Sequence, residues 1–273
     1  MKPVKRVAVI HDLSGIGKAA LTNVLPILSI MGIEACPIPT MILSTHTGGF
    51  GTPEVVKLSG FIERCNTHYK KNGIEFNSIF IGYLGGKEEI ESSIKFIKEN
   101  KCSNVFLDPI FGDQGKYYSN FDLDYVNSIK KIISFSDIIT PNYTEACYLT
   151  GEDYFEDCTE SKLKRICEGL IAFGTKKIVI TSVPSKNDKL LGVGIYDGEK
   201  LKIIFREKLG KSYPGTGDIF TSVLIGKILR GSNLYESALF AHNFVSKCID
   251  DSSKYNYETK EGVLLERNLK FLL

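Results

Sequence analysis

The chain has 273 residues, 43% hydrophobic and 24% charged, and its 34 basic and 32 acidic side chains leave a net charge of only +2. That balance lacks the basic excess of a nucleic-acid-binding surface, and no stretch approaches the roughly 20 apolar residues of a membrane span. Seven cysteines without metal-ligand spacing, odd in number, argue against a disulfide framework and for reduced thiols in a cytoplasmic protein.

Short β-branched runs at residues 7–10, 33–43, 78–81, 105–107, 138–140 and 178–181 read as strands, each nearly continuous in apolar side chains. That is the pattern of strands covered on both faces. Between them, residues 18–31, 53–71, 87–100, 123–135 and 163–173 carry the i, i+3, i+4 spacing of amphipathic helices. Gly32, Gly73, Asn100 and Gly174 stand where helix-terminating residues belong. After residue 181 the pattern changes. Runs 190–196 and 201–206 flank Asp197-Gly198, a hairpin signal, and helices 218–229 and 234–249 follow around Gly231-Ser232. With no linker and no repeat, the expectation is one α/β domain over residues 1–273, a mostly parallel sheet with a late antiparallel hairpin.

Ligands of such sheets bind beyond the carboxyl ends of the strands. The rule selects residues 11–17, 44–51, 82–86, 108–115, 140–145, 181–183 and 210–218. In the first of these, Gly15-Ile16-Gly17-Lys18 is not a P-loop: GxxxxGK[ST] would need glycine where Asp12 stands and a hydroxyl where Ala19 stands. Gly215-Thr216-Gly217 leads straight into an apolar helix. Two glycines let consecutive N–H groups converge, and the helix N-terminus adds partial positive charge, a cradle for a transferring phosphoryl group. Asp218 at its rim has two readings, a base for an attacking hydroxyl or an N-cap. Asp108, Asp113 and Glu145 end successive strands and suit Mg²⁺, which prefers oxygen ligands. Asn142 and Glu145 share a helix face at i, i+3, and the same pair reads equally as a capping box. His46 sits among hydroxyls and glycines in Ser44-Thr45-His46-Thr47-Gly48-Gly49. Tyr83 follows a strand end, where it could stack on a ring or pack under a helix.

Together these motifs resemble the ribokinase-like superfamily, and within it the pyridoxal/pyridoxamine kinases, over about residues 7–249. Gly215-Thr216-Gly217-Asp218 is similar to that superfamily's anion hole and catalytic base, and Asn142-Tyr143-Thr144-Glu145 to its water-mediated Mg²⁺ motif. Asp108-Pro109-Ile110-Phe111-Gly112-Asp113 resembles the stretch beside the ATP phosphates, Thr181-Ser182 the nucleotide side. Ser44–Gly48 and Gly82-Tyr83 resemble the segments around a pyridine ring. The resemblance implies a three-layer α/β/α fold and ATP-dependent phosphorylation of the 5′-hydroxymethyl group of a B6 vitamer. It implies Asp218 as base and Gly215, Thr216 and Gly217 as anion hole. Asp12, Ser14, His46, Thr47 and Tyr83 would meet the substrate. Asp108, Asp113, Thr140, Asn142, Thr181, Ser182 and Lys211 would meet ATP, and Glu145 and Asp108 the metal. Mg²⁺, room for a monovalent cation such as K⁺, and a homodimer complete the expectation. A hydroxymethylpyrimidine kinase is the rival within the superfamily, and a silent nucleotide- or vitamer-binding protein the rival outside enzymes. Asp12 departs from the serine common in this branch, and an extra carboxylate there would favour an aminomethyl group over an aldehyde. Gly49 replaces a pocket tyrosine, and Pro214 leaves no cysteine before the anion hole.

Overall fold

The computed structural model describes residues 3–155 and 158–273. The chain begins with β1 (Arg6–Ile16), α1 (Leu21–Ile30), β2 (Glu34–Thr45), β3 (Val55–Lys57), α2 (Phe61–Lys71), β4 (Ser78–Ile81) and α3 (Lys87–Glu99). It continues through β5 (Asn104–Leu107), β6 (Gly112–Asp113), β7 (Lys116–Tyr117), α4 (Leu123–Ile133), β8 (Ile138–Ile139), α5 (Tyr143–Thr150) and α6 (Glu160–Ile171). Then come β9 (Lys177–Pro184), β10 (Leu190–Tyr196), β11 (Leu201–Glu207), α7 (Thr216–Leu229), α8 (Leu234–Ser253) and the short α9 (Leu265–Asn268). These elements form two compact units, residues 1–103 with 209–273, and residues 104–208.

In the first unit the strands run in the order β4-β1-β2-β3. β1 is parallel to both neighbours, and β3 lies antiparallel on β2. Val7, Ala8, Val9 and Ile10 are wholly buried, as two covered faces require. Each of the larger ones is worth roughly 1.5–3 kcal/mol of burial. α1 packs on α7, and α7 on α8. α7 buries Ile219, Phe220, Val223, Leu224, Ile225 and Leu229, so it is a core helix rather than an amphipathic one.

In the second unit the order is β11-β10-β9-β8-β5. β5, β8 and β9 are parallel, while β10 and β11 form the expected antiparallel hairpin. Its turn is closed by Asp197, whose Oδ1 accepts from the N–H groups of Glu199 and Lys200. α5 packs on α4, α6 and β9, and β6 and β7 make a two-stranded ribbon.

Three expectations need correction. β1 does not stop at residue 10; past an irregularity between His11 and Leu13 it pairs with β2 as far as Ile16. The helix expected over 53–71 is two elements. The β-branched pair Val55-Val56 takes edge pairing on Met41–Leu43, and Gly60, at φ +67°, turns the chain into α2. Asn100 ends α3 in extended backbone, not as a left-handed cap.

Candidate active site

Asp218 lies in the first turn of α7 and is buried. The N-cap of that helix is Gly215, at φ +75°, so the reading of Asp218 as a cap fails. Its carboxylate is instead held by residues about two hundred positions away. Oδ1 lies 3.1 Å from His11 Nε2, and Oδ2 accepts the Ala20 N–H at 2.6 Å. Ala20 adopts φ 57°, ψ −136°, an uncommon conformation for a residue with a side chain. Behind His11 stands Asp12: its Oδ1 is 2.8 Å from Nδ1, and its Oδ2 accepts from Ser14 Oγ at 3.2 Å. Burial opposes a charge on His11. The hydrogen bonds and negative charges of Asp12 and Asp218 outweigh it and raise the imidazole to about 10. The Asp12 N–H also lies 3.0 Å from Nδ1, which a protonated Nδ1 could not accept. The shorter contact with the carboxylate and the two flanking anions favour Nδ1 as donor.

The glycine turn is built against the loop after β1. A side chain at Gly215 would place Cβ 2.0 Å from the Lys18 carbonyl, and Asn23 Nδ2 donates to both the Lys18 and Gly215 carbonyls. Thr216 Oγ1 donates to the Tyr213 carbonyl, and Gly217 is open, with nothing within 4 Å of a Cβ added there. The first-turn N–H groups of α7 lack intrahelical acceptors and lie beside Asp218, ready for an anion.

His46 accepts the Gly48 N–H at Nδ1 and donates from Nε2 to the Lys260 carbonyl at 2.6 Å. Both nitrogens are therefore spent within the chain, and the ring has its edge or face left to offer. Gly17 makes room for it: a Cβ there would meet the ring at 2.0 Å. Thr47 is exposed and Tyr83 half-buried, the Tyr83 carbonyl accepting from Thr40 Oγ1. Ser14 is buried against Asp12. Lys211 sends its ammonium to the Ser253 and Tyr255 carbonyls at the end of α8, the favourable end of a helix for a cation.

In the second unit Asn142 and Glu145 take the capping reading. They form a reciprocal capping box on α5. Glu145 Oε1 also accepts from the N–H of Phe111 at 2.8 Å and of Gly112 at 3.4 Å, and Asn142 Nδ2 donates to the Gly112 carbonyl at 2.7 Å. Thr144 Oγ1 accepts the Gly115 N–H. The first turn of α5 thus clamps the 108–115 loop at Phe111, Gly112 and Gly115. Burial, then the neighbouring Asp108 carboxylate, push Glu145 well above the usual carboxylate range, while the N–H groups of Asn142, Phe111 and Gly112 oppose them. Burial likewise raises Asp113. Thr140 is buried, Thr181 donates its N–H to the Pro141 carbonyl, and Ser182 is exposed at φ +56°.

Two buried carboxylates that disfavour each other's charge fit a divalent cation with oxygen ligands. Among the described residues no cluster of three or more His, Cys, Asp or Glu is arranged to hold one alone. Phosphate oxygens and water would complete its shell, the usual habit of Mg²⁺. Among the described residues the non-glycine positions at positive φ are Lys18, Ala20, Ile110, Gln114 and Ser182, all in or beside strand-end loops named from the sequence. Reading the sequence missed His11, Ala20, Asn23 and Lys260 as parts of the site. The one available signal was the pair His11-Asp12 directly after a buried strand.

The fold recurs in solved proteins. A Bacteroides thetaiotaomicron protein provisionally named a phosphomethylpyrimidine kinase, crystallised with pyridoxal, is 37% identical, with a TM-score of 0.94 over 98% of this chain and 96% of its own. Pyridoxal kinase from Lactobacillus plantarum is 30% identical, with a TM-score of 0.91 over 98% and 96%. Pyridoxal kinase of Dictyostelium discoideum is 30% identical over 74% of this chain and 71% of its own. The ribokinase-like α/β fold and the likeness to these kinases are those of an ATP-dependent small-molecule kinase. The chain belongs to the phosphomethylpyrimidine kinase family, whose profile matches residues 25–263.

Proposed function

We propose that this kinase transfers the γ-phosphoryl group of ATP to the 5′-hydroxymethyl group of a vitamin B6 vitamer, pyridoxal, pyridoxamine or pyridoxine. The observation that carries the reading is the Asp218 carboxylate, held on both oxygens beside the N-terminus of α7. Each oxygen keeps a lone pair for a substrate hydroxyl. Support for the vitamer comes from the similarity to two pyridoxal kinases and to a protein crystallised with pyridoxal.

In this reading the 5′-oxygen forms the new bond to phosphorus, its proton passes to Asp218, and the bond from phosphorus to the bridging oxygen of ADP breaks. N–H groups at Gly215, Thr216 and Gly217 hold the equatorial oxygens as charge spreads over them. Thr140, Asn142, Thr181, Ser182 and Asp113 serve the nucleotide, and Asp108 and Glu145 would hold Mg²⁺, Glu145 through water because its oxygens are taken by backbone. Bound there, Mg²⁺ would offset phosphate charge. Thr47 and Tyr83 line the vitamer side, with the His46 ring as a wall, and Ser14, wholly buried against Asp12, would act only through it. Asp12 is turned toward His11, so its role is indirect. By the resemblance to the pyridoxal kinases, residues 1–273 would act as one cytoplasmic kinase domain and as a homodimer, and K⁺ is added in the assay on the same ground.

The test is ATP turnover with pyridoxal, pyridoxine, pyridoxamine, hydroxymethylpyrimidine and ribose, with and without Mg²⁺ and K⁺, on wild type and Asp218→Asn. Turnover of a B6 vitamer is expected, and Asp218→Asn should lose about 10³-fold or more in kcat with KM for ATP little changed. The family's name favours one second reading, phosphorylation of a hydroxymethylpyrimidine. Preference for that acceptor over every vitamer would replace the first.

A further inference from the structure

Asp218 accepts its shortest-range help from residues the chemistry of phosphoryl transfer does not itself require. His11 is 1% exposed, lies between two carboxylates and hydrogen-bonds to both, at 2.8 Å and 3.1 Å. A buried ring with an anion at each nitrogen is an expensive arrangement unless the ring carries charge of its own. We propose that His11 is a positioning residue for the reaction: anchored by Asp12, its ring donates from Nε2 to Asp218 and keeps that carboxylate's free lone pair aimed at the substrate hydroxyl.

The surroundings agree. From β1 comes Asp12 and from α7 comes Asp218, and these are the charges that bear on the ring. From β4 comes Phe80, edge-on at 5.9 Å, and directly after the strand comes Gly82, whose missing side chain is what lets the ring lie there. A Cβ at Gly82 would stand 2.0 Å from His11 Cδ2. The strand backbone is thus shaped around a ring in one orientation. The three groups together carry one net negative charge before reaction. When Asp218 takes the hydroxyl proton they become neutral, so the proton's arrival relieves buried charge instead of adding it. His11 keeps both of its protons throughout and exchanges none with substrate. This differs from Asp12 as a contact for the vitamer: its oxygens are engaged by His11 and Ser14.

The proposal rests on Asp218 being the base of a kinase, and its test separates the two claims. First, imidazole nitrogen shifts are recorded by NMR on the full-length protein, the His11 signals being identified by their loss in His11→Gln. No substrate is involved. Expected are two protonated nitrogens on His11 at pH 8.5, far above an ordinary histidine's range near 6.5. A neutral ring at pH 7, with Nδ1 unprotonated and accepting from the Asp12 N–H, overturns the proposal whatever the enzyme phosphorylates.

Second, kinetics use whichever acceptor wild type turns over. His11→Ala should lose on the order of 100-fold in kcat, with KM for both substrates within about threefold. His11→Gln restores a neutral donor near the Nε2 position and should recover about tenfold of that loss. Asp12→Asn removes one anion, so His11 should lose its second proton at lower pH. Its kcat should then fall on the alkaline side at the pH where the NMR titration occurs, a limb absent from wild type. An Asp12→Asn profile superimposable on wild type, or His11→Gln no better than His11→Ala, refutes the positioning role. If wild type turns over none of the acceptors, the kinase reading fails while the NMR arm still decides the state of His11.

Discussion

Gly215 and Gly32 have the same backbone angle, φ +75°, and opposite surroundings. Around Gly32 a Cβ would meet nothing within 4 Å; at Gly215 it would meet the Lys18 carbonyl at 2.0 Å and Asn23 Nδ2 at 2.6 Å. Alanine at Gly32 therefore adds only the left-handed strain, about 1 kcal/mol. At Gly215 the neighbour is backbone, the turn itself must move, and the loss should be about 3 kcal/mol or more. Urea unfolding of both variants measures the difference as a shift in midpoint at constant slope. Equal midpoints would mean that the Lys18 loop gives way freely, and that the glycine turn is not braced by it. The same residues explain what was legible here. Gly215-Thr216-Gly217-Asp218 reads as a glycine turn into a helix because its spacing is local. Its braces, Asn23, Ala20 and His11, lie about two hundred residues away in sequence. Nothing in their own neighbourhoods says what they face.

At the scale of elements, the first turn of α5 serves as both helix cap and loop clamp. Glu145→Ala removes the capping-box bond to the Asn142 N–H and strands the buried N–H of Phe111. The cap is worth about 1 kcal/mol and the orphaned donor about 1–3. Removing a carboxyl that burial and Asp108 already disfavour offsets part of this. The net should be a loss of about 2 kcal/mol. Mg²⁺ with ADP should raise the Tm of wild type and hardly move that of Glu145→Ala. An equal rise in both would remove Glu145 from the metal's surroundings. Long elements were legible because their periods repeat: α3, α4 and the β10–β11 hairpin stand within a residue or two of where the sequence puts them, and β4 stands on its limits. β3 was not, because three residues of β-branched edge strand are too short to interrupt an apolar helical period. β1 was cut short for a related reason. His11, Asp12 and Ser14 look like loop residues, and only pairing with β2 makes them strand.

For the whole molecule, the arrangement around His11 sets a sign for stability against pH. The folded protein holds this ring's proton up to about 10, whereas an unfolded histidine releases it near 6.5. Below 6.5 both states are protonated and the interaction with Asp12 and Asp218 contributes fully. Between the two values the native state binds one more proton than the unfolded state, so unfolding free energy falls as pH rises, by at most about 1.4 kcal/mol per pH unit. Buried thiols and phenols with raised values, Cys147, Cys167 and Tyr213 among them, tilt stability the same way at higher pH. The informative window is therefore pH 7 to 8.5, and the informative quantity is a difference. Wild type should lose stability across that window more steeply than His11→Gln, which has no proton to release there. Urea denaturation at half-unit steps, compared at equal ionic strength, reads both slopes. Parallel slopes would mean that the imidazole is neutral in the folded protein and that the two carboxylates beside it are held by something other than its charge.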